Sequence, residues 1–163
     1  MSPSEPEPSN IALILGQLLQ RVSPAERALL IALAERLAAD RYRGWACEVG
    51  DPARASLLLA CAEREEEIAR RVQALHPDAA TVQRDILARN PDLEDINRSI
   101  FAGRPLDQQF ALQAQGERLG AATWRSFAGL EEDMRARDTF LGCASLEEEN
   151  AGCLEALLLG GGG

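Results

Sequence analysis

The residues of this sequence that are best suited to chemistry are four glutamates. Each lies at the same place in a stretch of apolar and small residues. They are Glu35, Glu65, Glu117 and Glu147. Each falls in a seam with the alternating four-and-three spacing that a helix directs into the core of a bundle. A lone buried carboxylate costs several kcal/mol, and four that converge also repel one another. Metal ions, shared protons or nearby arginines would neutralise them, and hard cations prefer such oxygen ligands.

The remaining seam positions are mostly apolar or small, which is typical of a buried face. In chain order they are Ile31, Ala38, Tyr42, Trp45, Cys61, Ile68, Val72, Leu75, Phe110, Gln113, Gly120, Trp124, Phe127, Cys143, Asn150, Leu154 and Leu157. Gln113 interrupts the pattern one turn before Glu117. It either hydrogen-bonds to a core carboxylate or indicates that its helix is rotated. The alternative interpretation is that the four glutamates lie on the surface, as we expect of their neighbours Glu66, Glu67, Glu148 and Glu149.

Helix-capping and helix-breaking residues predict the helices in the first half of the chain. Residues 1–10 are acidic and rich in proline, so we expect a disordered tail, followed by a short apolar helix over 11–22. Ser23-Pro24-Ala25-Glu26 has the pattern of a capping box and opens a first long helix that runs to about residue 48. Gly50 ends that helix, and Asp51-Pro52 begins a second one that runs to about residue 76.

The second half repeats this layout after a different kind of segment. Residues 77–104 are punctuated by proline and glycine and predict a long connection with two short helices. A third long helix is predicted over 106–132 and a fourth from 134 or 138 to 159, before a flexible end at 160–163. We therefore predict a single all-α domain over 11–159, made of two helical hairpins joined by a long crossover between helices two and three.

An internal repeat supports this layout. Shifting the chain by 82 residues aligns 117–157 with 35–75 without a gap, and 16 of the 41 aligned positions are identical. The shift places Glu117 on Glu35 and Glu147 on Glu65. A duplicated hairpin implies pseudo-two-fold symmetry, so equivalent glutamates should face one another across a common centre.

These residues resemble the ferritin-like di-iron carboxylate proteins, and rubrerythrin in particular. That family places a Glu on helices one and three and a Glu-x-x-His on helices two and four. Glu35 and Glu117 match the single glutamates, and the segments 62–69 and 144–151 resemble the paired motif with Glu65 and Glu147 as ligands. The resemblance implies a ferritin-like four-helix bundle that binds iron or manganese through all four glutamates, with Glu65 and Glu147 placed to bridge.

The resemblance breaks at both histidines of the family. Ile68 and Asn150 occupy those positions, and isoleucine cannot bind a metal. The single histidine of the chain, His76, is expected to be a helix-end residue rather than a ligand. Cys61 and Cys143, one turn before two of the glutamates, are expected to be small core residues rather than soft ligands.

Composition limits the partners. The net charge of −9 over 163 residues disfavours binding to nucleic acid and to anionic membrane surfaces. No apolar stretch reaches the length of about 20 residues that a bilayer crossing needs. The four cysteines form no CxxC pair and no export signal is evident, so we expect reduced thiols and a cytoplasmic location.

Two functions from different classes follow. One is a ferritin-like protein with a carboxylate-only metal site for iron handling or oxidation, which as an enzyme would be a di-metal oxidoreductase. The other is a degenerate, non-catalytic scaffold that binds a protein partner or forms a homodimer. In the second case Ile68 fills the space of a lost histidine, and the carboxylates share protons or pair with arginines such as Arg64 or Arg118. A helical adaptor unrelated to ferritins is a third interpretation.

Overall fold

A computed structural model of the protein describes residues 8–160, and within that range every element is a helix. The helices are α1 (Pro8–Gln20), α2 (Arg27–Glu48), α3 (Pro52–Gln73), α4 (Ala79–Arg89), α5 (Leu93–Phe101), α6 (Leu106–Leu130) and α7 (Met134–Gly160), with a 3-10 turn over Pro24–Glu26. The all-α prediction is therefore confirmed. None of the described helices combines the length and the apolar character that crossing a membrane requires.

The predicted helix ends are largely where the capping signals place them. The Glu26 carboxylate accepts the Ser23 backbone N–H at 3.1 Å ahead of α2. Gly50 follows α2 with a φ of 66°, a backbone conformation that glycine adopts without strain. Asp51 accepts the Ala53 N–H at 3.3 Å and so caps the start of α3.

Several boundaries differ from the sequence prediction, and α1, α3 and α6 end two or three residues early, at Gln20, Gln73 and Leu130. Helix α1 begins at Pro8, inside the segment 1–10 that was predicted to be a disordered tail, because proline fits the first turn of a helix, where its missing N–H has no partner to lose. Helix α7 includes Gly160, one residue beyond its predicted end. The remaining residues of both predicted ends, 1–7 and 161–163, lie outside the described part of the chain.

The four long helices pack in two sequential pairs, α2 with α3 and α6 with α7, and α3 also packs against α7. The two short helices α4 and α5 lie in the connection between the pairs, as predicted, and α1 lies against α6. The buried apolar residues form two separate clusters. One includes Ile68, Val72, Trp124 and Phe140, and the other includes Tyr42, Trp45, Leu58, Phe110 and Leu154. The four glutamates are also buried.

Candidate metal centre

Each of the four long helices contributes one buried glutamate to the interior. The exposed fractions are 8% for Glu35 on α2, 0% for Glu65 on α3, 1% for Glu117 on α6 and 2% for Glu147 on α7. The interpretation of these glutamates as surface residues is therefore wrong. Their neighbours Glu66, Glu67, Glu148 and Glu149 instead form ion pairs with arginines on the outer faces of the helices.

Three of the four glutamates come close enough to share one ion. Glu35, Glu65 and Glu147 each offer a carboxylate oxygen, and these three oxygens all lie within 4.8 Å of one another. We call this set the three-glutamate cluster. Glu117 is buried beside the cluster and acts electrostatically on Glu35, Glu65 and Glu147, but it does not belong to the cluster itself.

Hydrogen bonds fix the Glu117 carboxylate. Its Oε1 accepts the Tyr42 hydroxyl at 2.7 Å and the Gln113 side-chain amide at 2.9 Å. Gln113 therefore hydrogen-bonds to a core carboxylate, which is the first of the two explanations that the sequence left open. Of the described residues, none donates a hydrogen bond to the second oxygen, Oε2, of Glu117.

Glu147 is fixed by a different pair of residues on α6. The Trp124 indole N–H donates to its Oε1 at 3.1 Å. Gly120 leaves room for the carboxylate, because a Cβ at that position would lie 2.8 Å from both Cδ and Oε1 of Glu147. The repeat places Ala38 at the equivalent position of α2, so a glycine here is a departure from the duplicated pattern with a steric reason.

The two positions that carry histidine in the resembled family have different surroundings here. Asn150 donates to Glu65 Oε1 at 2.9 Å and to the Cys61 carbonyl at 3.2 Å, and its own carbonyl accepts from Arg64 at 3.1 Å. Ile68 is fully buried in an apolar cluster. Asn150 is therefore part of the polar site, whereas Ile68 is part of the apolar core.

A positive charge close to the carboxylates comes from Arg41, which the sequence analysis did not select. Its guanidinium donates to Gln113 Oε1 at 2.9 and 3.1 Å and to Asn97 Oδ1 at 2.6 Å, and it lies 3.9 Å above the Phe101 ring. Burial lowers the pKa of Arg41 to about 10, although nearby Glu65 opposes that shift, so the side chain stays charged at neutral pH. The available signal was that Arg41 adjoins the seam residue Tyr42 and aligns with an uncharged Thr123 in the repeat.

The two arginines named from the sequence make other contacts. Arg118 pairs with Glu155 at 2.9 Å, away from the four glutamates. Arg64 pairs with Glu149 at 2.9 Å and reaches the site only through Asn150. The expectation that Arg64 or Arg118 would pair directly with the buried carboxylates is therefore wrong, since Arg41 supplies the nearby charge.

Burial is the largest cause of the raised pKa values in the three-glutamate cluster. It raises the pKa of Glu35, and it raises the pKa of Glu65 and Glu147 well above the ordinary value of 4.5. Repulsion from the neighbouring glutamates adds to the rise, because each negative charge disfavours the ionisation of the next. The cluster therefore holds protons that a cation would displace on binding.

The remaining candidate ligands do not join the site. Cys61 and Cys143 are both buried, and burial raises the pKa of the Cys143 thiol to about 12. His76 lies in the connection between α3 and α4, three residues beyond the end of α3 at Gln73, rather than at the predicted helix end.

Comparisons with protein-family models, with characterised proteins and with solved structures find no match to this chain.

Three features of the cluster fit a cation. The donors are all carboxylate oxygens, which iron(II), manganese(II) and other hard ions accept as ligands. Glu65 Oε2 is buried and accepts from no amide, hydroxyl, indole or guanidinium group among residues 8–160. The space above Gly120 admits the Glu147 carboxylate close to the helix backbone. Together they describe a site with unused acceptor capacity in the interior of the protein.

Proposed function

We propose that this protein is a ferritin-like four-helix bundle that binds iron or manganese through carboxylates alone. Glu35, Glu65 and Glu147 would hold the ion, with Glu117 beside it as a further acceptor. The observation that carries the proposal is the approach of three buried carboxylate oxygens to within 4.8 Å of one another. The unpaired Glu65 Oε2 supports it, because a buried acceptor without a partner is costly unless something binds there.

The activity we propose is iron handling or oxidation. Iron or manganese bound in the cluster would supply a redox-active centre. The chain's own contribution is to orient the carboxylates: Tyr42 and Gln113 hold Glu117, and Trp124 holds Glu147. The burial of the four carboxylates keeps most of their surface from bulk water, which strengthens electrostatic interactions at the centre.

A second candidate is the non-catalytic scaffold. It is favoured by Asn150, whose amide already donates to Glu65, and by Arg41, whose charge partly offsets the carboxylates without metal. In this case protons held by the cluster would complete the neutralisation, and the function would be to bind a protein partner or a second copy. A cytoplasmic location and the absence of nucleic-acid and membrane partners stay predictions of the sequence.

Manganese titration of the metal-free protein separates the two candidates. Protein stripped with a chelator is titrated with Mn²⁺ while its melting temperature is measured, since an ion that prefers the folded state stabilises it by mass action. Two matched variants of α3 accompany it. Glu65→Gln removes a cluster carboxylate, whereas Glu63→Gln removes an exposed one two residues away.

We expect Mn²⁺ to raise the melting temperature of the natural protein and of Glu63→Gln, and to leave Glu65→Gln unchanged. Equal shifts in all three proteins would mean that the ion binds to the acidic surface. No shift in the natural protein would overturn the metal site and leave the scaffold function.

A further inference from the structure

A cavity of about 150 Å³ reaches the buried carboxylates from one side of the molecule. It lies between α1, α2, α5, α6 and α7, and Glu35, Glu117 and Glu147 are part of its lining. Most of the remaining lining is aliphatic or aromatic and includes Ile14, Leu18, Ile31, Ile100, Phe101 and Leu112. A cavity of this size holds a molecule of about one benzene ring when its walls are apolar.

An unpaired acceptor belongs to this lining. Glu117 is 1% exposed, and its Oε1 is already occupied by Tyr42 and Gln113. Its Oε2 is buried, and no amide, hydroxyl, indole or guanidinium group of the described residues donates to it. Such an atom favours a ligand that brings a hydrogen-bond donor, because the bond relieves the cost of burying a bare carboxylate oxygen.

The charged side chains around the cavity favour a neutral ligand. Arg41 also lines it, held in place by Gln113 and Asn97. An organic cation would meet the guanidinium, and an organic anion would meet the Glu117 carboxylate, so a charge of either sign is opposed by part of the wall. A neutral molecule avoids both penalties.

We propose that this cavity binds a small neutral molecule with one ring or a short alkyl body and a single hydroxyl, of the phenol class. The hydroxyl donates to Glu117 Oε2, and the apolar body lies against the aliphatic wall beneath α1. This binding goes beyond the proposed metal site and is tested without a metal, although Glu35 and Glu147 of the three-glutamate cluster also line the cavity.

The test is a titration of the metal-free protein with phenol, followed by calorimetry or by chemical shifts of the backbone amides. Gly116 lines the cavity, and a Cβ there would meet nothing within 4 Å, so Gly116→Leu fills the cavity without a clash. Gly152→Leu is the matched control, since Gly152 is also helical with open space around it but lies outside the cavity lining. Ala34→Leu, a second filling variant on α2, covers the case in which Gly116→Leu fails to fold.

We expect phenol to bind the natural protein and Gly152→Leu equally, and the filling variants at least about tenfold more weakly, a loss of about 1.4 kcal/mol. Benzylamine, benzoate and toluene are the comparison ligands, and each should also bind more weakly than phenol. Equal binding of phenol to the filled and natural proteins, or no binding to either, would overturn the cavity site. Tighter binding of benzylamine or toluene would overturn the hydroxyl class. Because the protein is metal-free throughout, none of these outcomes depends on the manganese titration.

Discussion

The two aromatic residues beside the buried glutamates occupy equivalent positions of the repeat, but they donate hydrogen bonds to glutamates that are not equivalent. Trp124 donates to Glu147, and its ring stacks on Phe140 at 5.6 Å within an apolar cluster. Tyr42, its equivalent on α2, donates instead to Glu117 and lies next to the charged side chain of Arg41. A strict two-fold repeat would direct Tyr42 to Glu65, the equivalent of Glu147.

This difference extends to the two positions that carry histidine in the resembled family. Asn150 joins a hydrogen-bonded chain from Arg64 to Glu65, whereas Ile68 lies among apolar residues near Trp124. Between the two halves of the repeat, the helices and the burial of the glutamates correspond more closely than the hydrogen-bond partners of the carboxylates. Glu65, Glu117 and Glu147 accept hydrogen bonds from side chains that differ between the halves.

The largest loss of stability is expected from Ile68→Asn, which gives position 68 the same residue type as its equivalent, Asn150. The asparagine would lose the burial of the isoleucine and place an amide without partners in the apolar cluster, so we expect it to cost about 4 kcal/mol of folding free energy. Urea denaturation followed by circular dichroism measures this loss. Ile68→Val, which keeps the site apolar, should cost only about 1 kcal/mol. Similar costs for the two variants would mean that polar partners are within reach and that the Ile68 side is not dry.

The pH dependence of stability tests the carboxylates directly. Glu35, Glu65 and Glu147 have raised pKa values when folded, so the folded protein keeps protons that the unfolded chain releases above the ordinary value of 4.5. Their contribution is therefore present in full below that pH and is lost as the pH rises through the raised values. We expect the melting temperature of the metal-free protein to fall from pH 5 towards alkaline pH.

Glu65→Gln should flatten this decline, because the amide does not titrate, while Glu63→Gln should leave it unchanged. Surface carboxylates whose pKa values are lowered, such as Glu26 and Glu67, act in the opposite direction but at pH values below 4.5. Equal slopes in the natural protein and in Glu65→Gln would contradict the assignment of the slope to the buried cluster.

Helical period and capping residues were sufficient to predict most of the long helices and the burial of all four glutamates, because both depend on local spacing. The sequence did not predict that Glu117 would separate from the other three, since that depends on the positions of Tyr42 and Gln113 on different helices. Arg41 was missed for a related reason. Its neighbours Asn97 and Phe101 come from the connecting helix α5, whose packing against α2 no periodicity of α2 reveals.

A smaller effect than that of Ile68→Asn is expected from Tyr42→Phe, which removes one hydroxyl and leaves the ring in place. Glu117 Oε1 would keep its bond from Gln113, so we expect a loss of about 1.5 kcal/mol of stability. Trp124→Phe should cost more, because in the described part of the chain Glu147 Oε1 accepts from Trp124 alone and the smaller ring also leaves a void. Parallel urea titrations of the two variants measure the difference. A larger loss for Tyr42→Phe would show that Gln113 does not hold Glu117 by itself, and that the Tyr42 end is the more critical support of the carboxylates.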